Sequence, residues 1–208
     1  MKKIKKKVIE FFRNLFARWF GRNEGIAPIP DTDVVDIPMS KEYLEEIESN
    51  DKYCVENNYY INNCPNVDAL MAMASASVTA QRKGIENIPD EEAIANIIAL
   101  YNAILVPFID ATGWRKAVTS WLRVVLLNIA VGGASTSQHI PAEAVDFRCY
   151  DENGRRIPIL EMARKVRDLG LPFDQMILYG TFLHVSHRRE GKNRGQVLYH
   201  SSYNGERL

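Results

Sequence analysis

Between Glu143 and His200 the chain runs in short segments with room for only one helix among them. Glu143–Phe147, Asp174–Leu178, Phe182–Ser186 and Gln196–His200 are short, apolar-rich and bounded by turn residues, the pattern of strands. Val118–Leu122 reads as a further short strand, and Asp151-Glu152-Asn153-Gly154 as a turn. Pro158–Leu169 places Ile159, Met162, Ala163 and Val166 on one helical face and closes at Gly170. Upstream, Val67–Lys83 and Pro89–Thr112 read as helices, the second opened by Asp90, Glu91 and Glu92 with Ala93, Ile97, Ile98, Tyr101, Ile104 and Leu105 facing a core. Segregated helices and short strands predict an α+β fold, a small antiparallel sheet with packed helices.

Chemistry enters on those segments. Ser137-Gln138-His139 is followed seven residues later by Asp146, and His184 stands in Phe-Leu-His-Val-Ser. Two imidazoles and a carboxylate suit a catalytic zinc, which takes three protein ligands and keeps one position for water. The competing reading is two unrelated histidines and a surface aspartate.

The surrounding residues narrow that choice. Ser137-Gln138-His139-Ile140-Pro141-Ala142-Glu143-Ala144-Val145-Asp146 resembles the S-x-H-x-x-G-x-A-x-D motif of the zinc D-alanyl-D-alanine carboxypeptidase and L-alanyl-D-glutamate endopeptidase family. Thr119-Ser120-Trp121-Leu122-Arg123, Asn128 and Ala130-Val131-Gly132-Gly133-Ala134 are similar to the T-S-G-Y-R, Asn and A-V-G-G-A blocks of its phage-type members. Asp174-Gln175-Met176-Ile177 and Phe182-Leu183-His184-Val185-Ser186 are similar to its D-Q-x-I and W/F-x-H-V-S blocks. The resemblance implies a peptidase of peptidoglycan stem peptides with Zn2+ held by His139, Asp146 and His184. It implies that Arg123 binds substrate and steadies developing negative charge, a task that suits a forked guanidinium.

Other roles stay open at this level. Ser137 is either a donor near the metal or a substrate carboxylate, or a turn hydroxyl. Many relatives place a glutamate, aspartate or histidine three residues before the last ligand, where this chain has Thr181. Asp174 is then the nearest carboxylate for a general base, or else a turn cap; Tyr179 is a poorer choice. His187 is an alternative to His184 as ligand, and His200 reads as peripheral. The family glycines are replaced by Trp121, which would intrude on an open space, and by Ala142, a small change if its φ is negative. A catalytically silent, zinc-stabilised wall-binding or structural module is the second functional reading.

Charge divides the chain. Residues 1–22 hold eight Lys/Arg and one Glu, about +7, which leaves about −7 on the rest of a chain with zero formal charge. The body is therefore not a nucleic-acid binder by charge. Within that basic segment, Lys2–Phe20 reads as an amphipathic helix with Ile4, Val8, Phe11, Phe12, Leu15, Trp19 and Phe20 on one side. It suits a membrane surface and is too charged to span one; packing and a signal peptide are the competing readings. Residues 23–40, which hold Gly25, Pro28, Pro30 and Pro38 and no periodic apolar face, read as a linker to a peptidase-like domain over 41–208. Cys54, Cys64 and Cys149 lack metal-binding spacing, although a Cys54–Cys64 bridge is open. A membrane-associated enzyme acting at the cell wall or periplasm is the expected setting.

Overall fold

The computed structural model describes Val34–Val35, Lys41, Glu42, Glu45, Glu48 and residues 67–208. Lys2–Phe20, Cys54 and Cys64 lie outside the described residues. Thr32–Leu208 forms one compact unit. Its strands are β1 (Val34–Val35), β2 (Arg115–Ser120), β3 (Ala144–Tyr150), β4 (Gln175–Leu178), β5 (Leu183–Ser186) and β6 (Gln196–His200). They form one sheet in the order β1-β6-β4-β5-β3-β2.

The expected antiparallel sheet is a mixed one. β2–β3, β3–β5 and β4–β5 are antiparallel, whereas β6 runs parallel to both β4 and β1. Parallel pairing arises because the segment from Ser186 to Gln196 crosses the start of β4 and sets β6 on its far side, running in the same direction as β4. β1 brings Val34 and Val35 into the body beside Tyr199 and His200, although both fall inside the stretch expected as linker.

Flanking this sheet among the described residues are α1 (Val67–Ala74), α2 (Val78–Lys83), α3 (Glu91–Leu100), α4 (Val106–Thr112), α5 (Val125–Ala130) and α6 (Ile159–Asp168). The first expected helix is thus two, because Ser77 stops α1 and starts α2. Its hydroxyl accepts from Ala80 N–H at 3.0 Å, which satisfies an otherwise unpaired first-turn donor. Asp90 caps α3 in the same way through Ala93 N–H at 2.8 Å. Between α3 and α4, Tyr101–Leu105 widens into a π turn just before Pro107. Proline has no N–H to give and its ring crowds the carbonyl four residues back, so a wider turn relieves both problems.

Strand alternation sorts the sheet into two faces. Val145, Phe147 and Cys149 of β3, with Met176, Leu178 and Val185, pack into the main core with α1, α3, α4 and α6. Ile177, Tyr179, Phe182 and Leu198 lie in a smaller cluster with Ala80 of α2 and with Leu127 and Val131 around α5. On β3 the residues alternate with the core set, so Ala144, Asp146 and Arg148 belong to this second face. Side chains such as Phe108, Phe147 and Phe182 are wholly buried and contribute roughly 1.5–3 kcal/mol each. The second face carries the polar site.

Candidate metal centre

Three neighbouring strands set the site. Asp146 on β3 pairs with His184 on β5 and with Ser120 on β2. A bulge between Val118 and Ser120 shifts the end of β2, and Thr119 anchors it by donating to the Asp146 carbonyl at 3.1 Å. The chain then leaves β2 alongside the loop that carries His139. Arg123 N–H donates to the His139 carbonyl at 3.0 Å, and the Trp121 indole N–H donates to the Ala142 carbonyl at 3.1 Å. His139 Nδ1 meets the Trp121 carbonyl at 2.7 Å.

Ala142 makes this loop possible at a cost. Its φ of 61° is the one positive value at a non-glycine among the described residues. A left-handed alanine costs roughly 1–2 kcal/mol, so the family's glycine has a conformational reason here. The condition under which alanine would be a small change is not met. Trp121 does not obstruct the site; its indole is buried in the main core.

His139, Asp146 and His184 converge, with their ligand atoms all within 4.8 Å of one another. His184 Nδ1 lies 2.7 Å from Asp146 Oδ1, and His139 Nε2 lies 3.1 Å from Asp146 Oδ2. The imidazole rings meet edge-on at 5.1 Å. Arg123 Nη2 donates to Asp146 Oδ2 at 2.8 Å, while its Nε donates to Ser120 Oγ at 2.9 Å. All four side chains are buried.

Electrostatics fixes the protonation of this group. Burial and then the Arg123 charge push His139 down to about 4, so its ring is neutral at pH 7. Burial alone would raise Asp146, but its interactions with the two imidazoles hold it well below the ordinary carboxylate range. Because the Trp121 carbonyl can only accept, His139 carries its single proton on Nδ1. The Nε2 lone pair therefore faces the ionised Asp146 Oδ2 at 3.1 Å. A proton on Nε2, the state in which His139 lowers the Asp146 pKa, or a metal ion between the two atoms satisfies that contact.

Residues 70–186, more than half of the chain, match the Peptidase M15 family model. The chain belongs to the Peptidase M15 family. No curated protein matches it. M15 peptidases are zinc-dependent and as a family act on peptidoglycan, so a metallopeptidase is the class to which this fold belongs. The donor set of the M15 chain fits that metal: two imidazoles and one carboxylate, with a carbonyl orienting His139 from behind.

Other expected residues fall elsewhere. Asp174 makes no hydrogen bond to the triad among the described residues. Its buried carboxylate accepts from Arg194 Nε at 2.9 Å and Nη2 at 2.5 Å and from Gln138 Nε2 at 3.1 Å, and Arg188 Nε lies 3.2 Å away. Burial would raise its pKa, yet the Arg194 hydrogen bonds bring it below the ordinary value. A carboxylate held this way is a poor proton acceptor, and its two arginine partners weigh against the expected role of Asp174 as general base. His187 Nδ1 meets the Pro172 carbonyl at 2.6 Å, and His187 stays outside the triad, which leaves His184 in that place. Ser137 Oγ accepts from His139 N–H at 3.3 Å, the turn role. Thr181 receives Arg148 Nε on its carbonyl.

Two partners of the site carry no sequence signal of their role. Ser120 lies inside the T-S-x-x-R block, where its spacing alone implies no contact to Arg123. The Trp121 carbonyl is backbone, and no residue type signals it. His200, expected at the periphery, is buried and stacks on Tyr179 at 4.4 Å.

Proposed function

We propose that this M15 chain is a zinc-dependent peptidase that hydrolyses peptide bonds of cell-wall stem peptides, as a D-Ala-D-Ala carboxypeptidase or an endolysin-type endopeptidase. The observation that carries the reading is the pair of facing acceptors, His139 Nε2 and Asp146 Oδ2, beside His184 in a buried site. His139, Asp146 and His184 would hold the zinc. When bound, zinc supplies a water of lowered pKa and polarises the scissile carbonyl. Arg123 fixes the Asp146 carboxylate and keeps positive charge where the substrate's carbonyl oxygen becomes negative. Residues 2–20 would hold the enzyme against an anionic membrane surface near the wall.

The test is zinc content and stem-peptide hydrolysis of the full chain beside its His139→Ala and His184→Ala variants. One zinc per chain with cleavage, both lost in the variants, is the expected result. Variants that keep stoichiometric zinc and wall-degrading activity would sink the reading. Loss of liposome binding on deleting residues 1–22 tests the membrane role separately.

One observation favours a second reading, a catalytically silent zinc-stabilised wall-binding module. Among the described residues, Asp146 is the only carboxylate hydrogen-bonded to either histidine, and Asp174 is tied to arginines. Stoichiometric zinc with no cleavage of any stem peptide is its signature.

A further inference from the structure

Tyr179 follows β4 directly and stands one step along the sheet from the site row. Ile177 pairs with His184, and two residues later Tyr179 N–H donates to the Phe182 carbonyl at 3.2 Å. Its ring is held on both sides, by Phe182 at 4.2 Å and by His200 at 4.4 Å, so little rotational freedom is left to the phenol. The ring belongs to the same cluster as Val124, the residue after Arg123.

The hydroxyl of this clamped ring makes no hydrogen bond among the described residues. It is not one of the buried side-chain atoms left without a partner, so with its ring enclosed the hydroxyl opens to solvent, where a ligand oxygen can replace water. After burial, the two influences on its ionisation are the charges of Asp146, which raises its pKa, and Arg123, which lowers it. Both therefore lie within electrostatic reach of the hydroxyl. The phenol stays protonated at every pH at which the protein would work, so it donates and does not accept a proton from water.

Arg123, expected to serve the developing negative charge, has Nε committed to Ser120 and Nη2 committed to Asp146. We propose that the Tyr179 hydroxyl is a substrate-facing hydrogen-bond donor of this site, directed at the peptide oxygen that gains negative charge on attack. This rests on the peptidase reading and adds a residue to it. The hydroxyl keeps its proton throughout; it forms a hydrogen bond that strengthens as charge develops, which is the condition for accelerating the step.

The experiment compares the zinc-loaded full chain with its Tyr179→Phe variant, which keeps the stack and removes only the hydroxyl. Stem-peptide kcat should fall by about 100-fold with KM little changed, as for loss of one oxyanion donor. Inorganic phosphate, a tetrahedral oxyanion, should bind the variant about tenfold more weakly, the size of one hydrogen bond to a charged group. Zinc content and thermal midpoint should be the same in both proteins. Equal phosphate affinity, or equal kcat, overturns the donor role, as does a wild type that binds no phosphate. A wild type that cleaves nothing but still binds phosphate tenfold better than Tyr179→Phe would remove the peptidase reading and leave the donor standing.

Discussion

Arg123 and a bound cation compete for one carboxylate, and that competition can be measured. Take Arg123→Met, which keeps most of the apolar stem of a nearly buried side chain and deletes its charge. In the metal-free protein Asp146 would then retain His184 Nδ1–H at 2.7 Å on Oδ1, while Oδ2 would face only the Nε2 lone pair of His139 at 3.1 Å. Breaking a buried pair from one side costs about 3–5 kcal/mol. Part of that cost returns as His139 protonates more readily, since Arg123 is one of the groups that push its pKa down. With zinc in place the carboxylate is neutralised by the metal, so the same substitution should cost less. The difference between the two costs is by linkage a change in zinc affinity. A gap of only about 1.4 kcal/mol makes zinc bind tenfold tighter. The variant should therefore be less stable to urea without metal, bind zinc at least about tenfold more tightly against a chelator at pH 7.5, and turn over poorly. Unchanged or weaker zinc binding would refute the reasoning, since it would mean that the guanidinium does not compete for Asp146.

In metal-free protein, His139 is lowered from 6.5 to about 4. The unfolded chain takes up its proton first, so stability is complete above pH 6.5 and declines by about 3 kcal/mol as pH falls to 4. Urea midpoints at a series of pH values should show this slope, and a His139→Gln variant should flatten it. Asp174→Asn should lose roughly 2–3 kcal/mol of stability through weakened charged hydrogen bonds to Arg194, yet leave the pH profile of kcat unchanged; a lost alkaline or acidic limb would restore Asp174 as the base. Lys116 is wholly enclosed, with Nζ donating to the Trp114 carbonyl at 2.7 Å, and burial lowers its pKa from 10.5 to about 8. Lys116→Met should be the more stable protein at pH 7, and its advantage should shrink by about 3 kcal/mol between pH 8 and 10.5 as wild-type Lys116 loses its proton. A stability difference independent of pH would show that the ammonium is not desolvated.

The strands that carry Asp146 and His184 were legible because side-chain alternation on half-buried strands is a local signal. The inward face of α6 is buried as its spacing implied, at Ile159, Met162, Ala163 and Val166. Sheet order was not legible. Whether β6 lies antiparallel beside β5 or parallel beside β4 depends on how the Ser186–Gln196 segment routes, and on pairings between residues far apart in the chain. The surroundings of Asp174 have a related cause. Its neighbour Gln175 begins β4 and alternates in register with Ile177, which pairs with His184, so the preceding residue belongs with the opposite set. Proximity in a motif suggested a base; the pleat carries the carboxylate toward Arg188 and Arg194 instead.

The two departures from the family's glycines show how far a motif can shift while its geometry persists. Glycine was expected at these positions because it permits positive φ or close backbone approach. At Ala142 the backbone keeps the left-handed turn, and the methyl is buried in the core, where one such group contributes roughly 0.8 kcal/mol. That burial partly offsets the 1–2 kcal/mol of strain. Trp121 holds the carbonyl of the same turn through its indole N–H at 3.1 Å, while its own carbonyl orients His139. The two replacements thus act on one loop: one side chain strains it and the other ties it down. Ala142→Gly should therefore change stability by less than about 1 kcal/mol, because relief of strain opposes lost burial and the greater freedom of unfolded glycine. Trp121→Gly should be far worse, emptying a core site at about 3–5 kcal/mol and releasing the carbonyl that fixes the His139 tautomer. Zinc affinity would fall with it, whereas Ala142→Gly would leave that affinity unchanged.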